Sequence, residues 1–570
     1  MKKFTILAAL IPAVLLSQNF EETAAEFKDF YYSSFDTADM DGDGKTDVVF
    51  NGAIDLDDDG NPDITQNEIY KNNGGTFELY QNLGEFSTHL GDISFIDFDN
   101  DGLLDIVSTG LSYNDVVYYK QYRFKNTGSS FELTNTSPGR IYSNIQVFDL
   151  NHDGYLDYAV NGIRYVDGIG FSYAVDFYKN TGTDFVDQPD WLPGTQNGYF
   201  QIVDLNNDAY PDAVVMGYNS DIEPVFRVYL NNEGTMELSQ DLPGKSSGRI
   251  AYADFNADGF QDLVVAGSSG SGAEYLAVYF NDGTGNFTDI LIIENEGLSD
   301  SSVDTADLNN DGYYDFVVIG NDENYDGFAK VFLYDPATGT FSKAEETGLY
   351  NLGSGGNLKV LNYNDDNLPD VLMTGFDWYD SDYPARTKLF KNISTETNEK
   401  PLPPVELSFE KTGNRLDFSW SGATDDKTPV NALQYELKVG TSPGGQEIAK
   451  YVVSTPFWFL ELDEVPENIY WSVKSIDASK VYSDASEEQQ MATIDNSLAK
   501  LIIYPNPASE SVSIQSDKPI QKVELYSAAG SLMKTDFNGK QLNLNTVPKG
   551  IYFVKIYSEK DVITKKLMIK

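Results

Sequence analysis

The 570-residue chain has no cysteine, which excludes disulfide frameworks, thiolate metal sites, iron–sulfur clusters and cysteine nucleophiles together. It has two histidines, His89 and His152, so a His-rich metal site or a Ser–His–Asp triad has little to work with. Positive charge is scarce: 39 Lys and Arg against 89 Asp and Glu leave a formal net charge of −50. That balance argues against nucleic acid and anionic membrane surfaces as partners, because nothing here neutralises a run of phosphates. Beyond the N-terminus no stretch approaches the ~18 apolar residues of a membrane-spanning helix. With 41 % apolar and 13 % aromatic residues, the chain is still too hydrophobic for a disordered polyanion. Its length implies several domains, or a repeat array with appendages. The abundant reactive group is the carboxylate, whose natural partner is a hard cation.

Residues 1–18 read as a secretory signal: Lys2 and Lys3, an apolar run over 4–16, then Ser17 and Gln18. The run is too short to span a bilayer, and no cysteine follows it to accept a lipid.

A nine-residue pattern, Asp-x-Asp/Asn-x-Asp-Gly-x-x-Asp, recurs seven times. It starts at Asp39, Asp97, Asp149, Asp204, Asp254, Asp307 and Asn362, with spacings of 58, 52, 55, 50, 53 and 55 residues. Five residues after each motif stands a glycine: Gly52, Gly110, Gly162, Gly217, Gly267, Gly320 and Gly375. Asn-Asn/Thr-Gly turns and short Phe-centred segments repeat further along each unit. Each unit therefore reads strand, Asp loop, strand, variable loop, strand, Asn-Gly turn, strand. Four strands per ~54 residues, repeated seven times, is the signature of a seven-bladed β-propeller. The seventh unit lacks its fourth strand before a Pro-rich linker, and the segment around Glu26, Phe27, Lys28, Asp29 and Phe30 is expected to supply it and seal the ring.

The loop chemistry points to Ca²⁺, at about seven and possibly eight sites. Position 3 is Asp41, Asp99, Asn151, Asn206, Asn256, Asn309 and Asn364; position 5 is Asp43, Asp101, Asp153, Asp208, Asp258, Asp311 and Asp366. Position 7 offers the backbone carbonyls of Lys45, Leu103, Tyr155, Tyr210, Phe260, Tyr313 and Leu368. Position 9, able to bind through both oxygens, is Asp47, Asp105, Asp157, Asp212, Asp262, Asp315 and Asp370. Six or seven oxygens suit Ca²⁺ better than the tighter octahedron of Mg²⁺. An EF-hand would need Glu at position 12 and flanking helices, where a strand follows here. Position 6 requires positive φ, which glycine supplies. Ala209 stands there in the fourth loop and Asn362 opens the seventh, so those two sites are expected to be weakest. An eighth match, Asp55, Asp57, Asp59 and Asp63, lies in the variable loop of the first unit and reads as an extra calcium loop. Seven calcium ions would change the formal charge from −50 to −36, mainly in a structural role.

The loops DFDNDGLLDIVSTG and DLNNDGYYDFVVIG resemble FG-GAP/VCBS repeats, the blades of integrin α-subunit-like propellers, over 19–395. The linker 396–404 carries Pro401, Pro403 and Pro404. In 405–494, the runs LDFSWSGATDD and IYWSVKSIDAS resemble a fibronectin type III domain, with Trp420 and Trp471 expected in its core. In 500–570, Tyr504-Pro505-Asn506-Pro507, VELYSAAGSLMKT, LNTVPKGIYFVKI and the terminal KKLMIK resemble the C-terminal sorting domain of the bacterial type IX secretion system. That resemblance implies passage through its outer-membrane translocon, then removal of the domain, with cleavage expected between Asp495 and Leu501, and surface anchoring or release. The fold expected overall is all-β, a seven-bladed propeller followed by two small β-sandwiches.

The sequence shows no catalytic constellation. Strand order puts the Asp loops and Asn-Gly turns at one face and the variable loops at the other. Aromatic residues there suit a sugar ring or a protein anchor: Tyr113, Tyr165, Tyr173, Tyr218, Tyr325, Trp378, Tyr379 and Tyr383, with Trp191 in a loop leading into a blade. The expectation is a secreted or surface-exposed adhesion protein binding a glycan or protein of unknown identity. The alternatives are a polysaccharide lyase or glycosidase, for which Arg123, Arg164 and Arg227 are candidates by location, and a scaffold subunit of a surface complex.

Overall fold

The computed structural model describes residues 20–490 except 58–60, 113–117, 167, 169, 354 and 378–382. It also describes 501–570 except 505, 507, 517–518, 528–530, 534 and 558–561. The expected signal, Asp59, Tyr113, Trp378, Tyr379 and nearly all of the expected cleavage segment lie outside the described residues. The described chain is all-β, with one 3-10 turn at Gly84–Phe86 and no α-helix.

The seven repeat units form antiparallel sheets built on four strands in simple up-and-down order, with the two-residue strand Ile64–Thr65 added to the first and only three strands of the seventh coming from its own unit. In the second, His89–Ile96, Asp105–Ser112, Tyr118–Asn126 and Phe131–Pro138 pair in turn. The fourth and fifth sheets are also stitched together where Lys245 and Ser246 pair with Ser269 and Ser268. Strand composition follows position in the sheet. Every residue of the second strands Asp47–Ile54 and Asp105–Ser112 is buried, because both faces of the sheet are covered by neighbours. The outer strand Phe131–Pro138 alternates between covered and exposed positions, as a solvent-facing strand does.

The sheets pack face to face in sequence. Met40, Val49 and Ile69 of the first meet Ile93, Phe95 and Ile106 of the second in one apolar cluster. Leu361, Leu372 and Leu389 of the seventh meet Phe35, Val48 and Phe50 of the first, so the succession returns to its start. Ser33 Oγ donates to Thr374 Oγ1 (2.9 Å) across the same seam.

The seventh sheet is completed from the N-terminus, by a segment earlier than expected. Phe20–Glu22 pairs with Ala385–Asn392, Phe20 opposite Asn392. Phe27 and Phe30 turn inward instead, with ring centroids 5.3 and 5.1 Å from that of Phe50. Their aromatic bulk is more stabilising in the core than on an edge strand.

Residues 405–490 form a three-stranded sheet over a four-stranded one, with Trp420 and Trp471 buried between them. Residues 501–570 form a smaller pair of sheets around Val512, Leu525, Val554 and Leu567. The 396–404 segment is pinned: Asn398 Nδ2 donates to Asp477 Oδ2 (2.7 Å) and Leu402 N to Thr424 O (2.7 Å).

Candidate metal centre

The seven Asp loops share one internal wiring. The first Asp accepts the position-6 N–H at 2.6–2.9 Å in the first six loops, from Gly44, Gly102, Gly154, Ala209, Gly259 and Gly312. The fifth Asp accepts the position-7 N–H, as Asp43 does from Lys45 (3.0 Å) and Asp208 from Tyr210 (2.8 Å). Position 6 has positive φ throughout, including Ala209 (+73°) and Asn367 (+65°). Position 4 is left-handed as well, at Gly42, Asn100, His152, Asn207, Ala257, Asn310 and Asp365. This second requirement leaves a faint trace in the sequence: Asn at three of the seven positions, with Gly, His and Asp at three others, residues that tolerate the conformation.

The ninth Asp is a clamp. Asp105 takes Phe98 N on one oxygen (3.1 Å) and Asn126 N on the other (2.7 Å), and Asp262 does the same with Phe255 (3.2 Å) and Asn281 (2.8 Å). Burial pushes these carboxyls up, Asp47 to about 6, Asp105 to about 7, Asp370 to about 8 and Asp262 to about 9. Neighbouring loop carboxylates add to the shift, and a bound cation reverses it.

An asparagine at the end of the third strand extends the clamp in every sheet but the sixth, which has Tyr334 there. Asn126 Nδ2 donates to Leu104 O of its own loop and to Met40 O of the preceding loop, both at 3.1 Å. Asn72 does so across the seam, to Thr46 O (3.1 Å) and Tyr363 O (2.7 Å). The sequence showed these asparagines only as turn residues.

The donor sets differ in their fit to a hard cation. In the first and second loops, ligand oxygens of Asp39, Asp41 and Asp43, and of Asp97, Asp99 and Asp101, lie within 4.8 Å of one another. Asp41 Oδ1 and Asp99 Oδ1 are buried with no hydrogen-bond partner, as is Asn151 Oδ1 in the third loop. Such acceptors lack compensation for their lost water, which a divalent cation supplies. In the fourth to sixth loops the position-3 amide oxygen is already used, Asn206, Asn256 and Asn309 taking the N–H of Asp208, Asp258 and Asp311 at 2.9–3.0 Å. The seventh has amides at positions 1 and 3. Asp55, Asp57 and Asp63 also converge, at the opposite end of the first sheet. The first two loops and this extra loop therefore fit best.

Ammonium groups already approach several loops. Lys71 pairs with Asp41 and Asp43, Lys125 with Asp99 and Asp101, Lys179 with Asp153 (3.7 Å), and Lys391 with Asp366 (2.9 Å). Each lysine directly precedes the third-strand asparagine. The 405–490 module covers much of the same face. Tyr451 OH donates to Asp149 Oδ2 (2.6 Å), Glu461 N to His152 O (2.6 Å) and Asn431 Nδ2 to Ala257 O (3.3 Å). His152 is wedged among Tyr210, Trp458 and Phe459, its centroid 3.9 Å from that of Phe459.

Residues 502–570 match the family described as "Secretion system C-terminal sorting domain". The protein leaves the cell by type IX secretion. Its destination is the cell surface or the extracellular space, and its sorting domain engages that system's machinery. Among the described residues no helix is long and apolar enough to cross a membrane. Residues 97–160, 204–265 and 254–318 match the family described as "FG-GAP-like repeat". No curated protein matches the chain. Similar solved structures include AofleA from Arthrobotrys oligospora, at 14 % identity and TM-score 0.33, covering 57 % of this chain and 88 % of that one. Another is a hypothetical protein from Leishmania major, at 12 % and 0.23, covering 59 % and 94 %. A third, the chicken CNTN1 FN1–FN3 domains, has 11 % and 0.15, covering 35 % and 78 %. These likenesses are too slight to carry an argument.

The first strands of the sheets border a cavity of ≈ 450 Å³. The innermost strands line it with Asp36, Asp92, Asp304, Arg249 and Lys359, and Lys480 of the 405–490 module closes one end. Lys359 pairs there with Asp36 and Lys480 with Asp304 (3.1 Å), while Arg249 Nη1 donates to the neutral Asn357 Oδ1 (2.7 Å). Arg123, Arg164 and Arg227 lie in the sheets instead, Arg164 beside Asp176 (3.2 Å), Arg227 beside Asp241 (3.6 Å) and Arg123 over Phe185.

The expected ligand aromatics separate into two groups. Tyr165, Tyr325 and Tyr383 are 53, 71 and 52 % exposed at the end remote from the repeated Asp loops. Phe171 and Ile222 are exposed there too, and sequence reasoning missed both. Tyr173 and Tyr218 are half-buried, Tyr173 against Leu111, Ile141 and Ile163. Trp191 lies within the strand Phe185–Pro193 and not in a loop leading into a blade; it is half-buried, its ring 5.0 Å from Phe177 and 6.1 Å from Phe148.

Proposed function

We propose that the seven sheets are the blades of a calcium-stabilised FG-GAP-type propeller, and that the protein works outside the cell as a glycan- or protein-binding adhesion module. The observation that carries this reading is the inequality of the two ends. One end carries the Asp loops and is largely occupied by the 405–490 module, through Tyr451, Glu461 and Asn431. The other presents Tyr165, Phe171, Ile222, Tyr325 and Tyr383 among polar loops. Exposed aromatic faces beside polar groups suit sugar rings and protein anchors. Calcium is assigned a structural role, holding the first two strands of a blade together and relieving carboxylate repulsion. The 405–490 module is assigned to the fibronectin type III class, which its two-sheet layout supports.

The test is a glycan and matrix-protein array probed with the full chain in millimolar calcium and in chelator. Binding to one ligand class, lost on Tyr325→Ala and Tyr383→Ala, is expected. Binding unaffected by these substitutions, or turnover of a polysaccharide, overturns the reading.

A further inference from the structure

Six of the seven Asp loops draw an ammonium group from one of two sources; the fifth has Phe280 at the lysine's place. The first, second, third and seventh loops draw a lysine from their own third strand. The fourth and sixth have Leu230 and Leu333 at that place. Both receive a lysine from downstream in the chain instead. Lys427 Nζ donates to Asn310 O of the sixth loop (3.0 Å). Lys566 Nζ, on the last strand of the sorting domain, donates to Asn207 O of the fourth (3.4 Å). The two acceptors are the same position-4 carbonyl. Lys566 Nζ also lies over the Phe457 ring, 3.4 Å from its centroid. Burial pushes this ammonium down to about 7, and Asp204 and Asp208 are the acidic charges that most oppose the shift.

The fourth loop is shaped for this contact. Its Ala209 is fully buried at φ +73° and belongs to the apolar cluster that joins the 405–490 module and Ile551 of the sorting domain. A methyl group there contributes to a docking surface that glycine would leave unfilled, which accounts for the one alanine among the seven sixth positions.

We propose that Lys566 is a latch: it supplies the counter-charge of the fourth Asp loop, so that divalent-cation binding at this loop and docking of the sorting domain compete. The proposal rests on the reading of the Asp loops as calcium sites. Linkage makes the competition reciprocal, so whatever factor docking takes from calcium affinity, calcium takes from docking.

The experiment measures hydrogen exchange of the strand Val562–Ile569 in the full chain, in chelator and in millimolar calcium, beside a thermal melt of the same samples. Calcium is expected to speed exchange of this strand about tenfold, a typical coupling between sites. Asp208→Asn is expected to abolish that effect. Lys566→Gln is expected to bind one more calcium ion than the parent by equilibrium dialysis at equal free calcium. Exchange that calcium leaves unchanged or slows, in a protein whose melt still shifts with calcium, overturns the latch and leaves the metal reading standing. Equal ion counts in the parent and Lys566→Gln do the same. A melt indifferent to calcium overturns both.

Discussion

Asn72 helps tie the first sheet to the seventh, and Asn72→Ala tests whether the asparagine clamp holds that seam. The side chain is fully buried, donates to Thr46 O and Tyr363 O, and accepts Gly75 N at 2.7 Å. Alanine removes all three bonds while keeping the backbone bond from residue 72 to Asp47 (2.8 Å). At about 1 kcal/mol net per bond, with more where a buried carbonyl loses its partner, local stability should fall by about 3–4 kcal/mol. That corresponds to roughly 10²–10³-fold faster exchange of amides whose protection depends on this seam. The assay is hydrogen exchange by mass spectrometry on the full chain, which avoids assuming a single two-state transition. Faster exchange is expected in both Asp47–Ile54 and Asp370–Phe376, the strands on either side of the seam. Asn286→Ala, on an exposed hairpin where the amide reaches only Thr284 Oγ1, should shift exchange by no more than about 0.5 kcal/mol. Loss confined to the first sheet, or loss no larger than in the control, would refute the clamp.

Further outcomes follow from other parts of the molecule. Calcium should raise the melting temperature and chelator reverse it, with Asp41→Asn and Asp99→Asn each diminishing the shift because each alters one buried, unpartnered ligand oxygen. Burial pushes His89 down to about 4, below the ordinary 6.5, so the fold favours its neutral form. Stability from this group is complete above pH 6.5 and is lost as pH falls towards 4, by at most about 3 kcal/mol. His89→Gln should flatten the acid limb of a pH–stability curve, and an unchanged slope would contradict the assignment. Gly110→Ala should destabilise by about 3 kcal/mol in a denaturant titration, since a Cβ there comes 2.5 Å from His89 O on a backbone of φ +151°. Deleting residues 20–22 should bare the edge of Ala385–Asn392 and produce concentration-dependent association in sedimentation, whereas a monodisperse monomer would argue against its role as the closing strand.

The repeated architecture was legible because its chemistry recurs at fixed offsets. A carboxylate wired to position 6 and an asparagine at the third-strand end each leave their trace in six of the seven units, and the glycine five residues after the motif stands in all seven. What stayed hidden depends on partners far apart in sequence. The closing strand was expected around Phe27 and Phe30, whose aromatic bulk reads as strand, yet those rings fill the first sheet's core and the plainer Phe20-Glu21-Glu22 pairs at the edge. Trp191 was expected in a loop leading into a blade but lies within the strand Phe185–Pro193, packed on Phe177 of the neighbouring strand, a contact no local pattern shows. The use of the Asp-loop face as a docking surface was invisible too, since Tyr451 and Lys566 stand more than 300 residues from the loops they touch.

That docking divides the seven loops by accessibility. Asp39, Asp41 and Asp43 lie at the rim, whereas Asp149, Asp254 and Asp307 are buried, Asp149 directly beneath Tyr451. Calcium bound at the rim would exchange with the medium as freely as at any surface loop. An ion bound beneath the module would leave only when the module lifts, so its residence time would be set by an opening motion and not by its own affinity. A brief fall in external calcium would then strip the rim and spare the covered sites, and the protein would hold a record of the calcium present when its modules closed together.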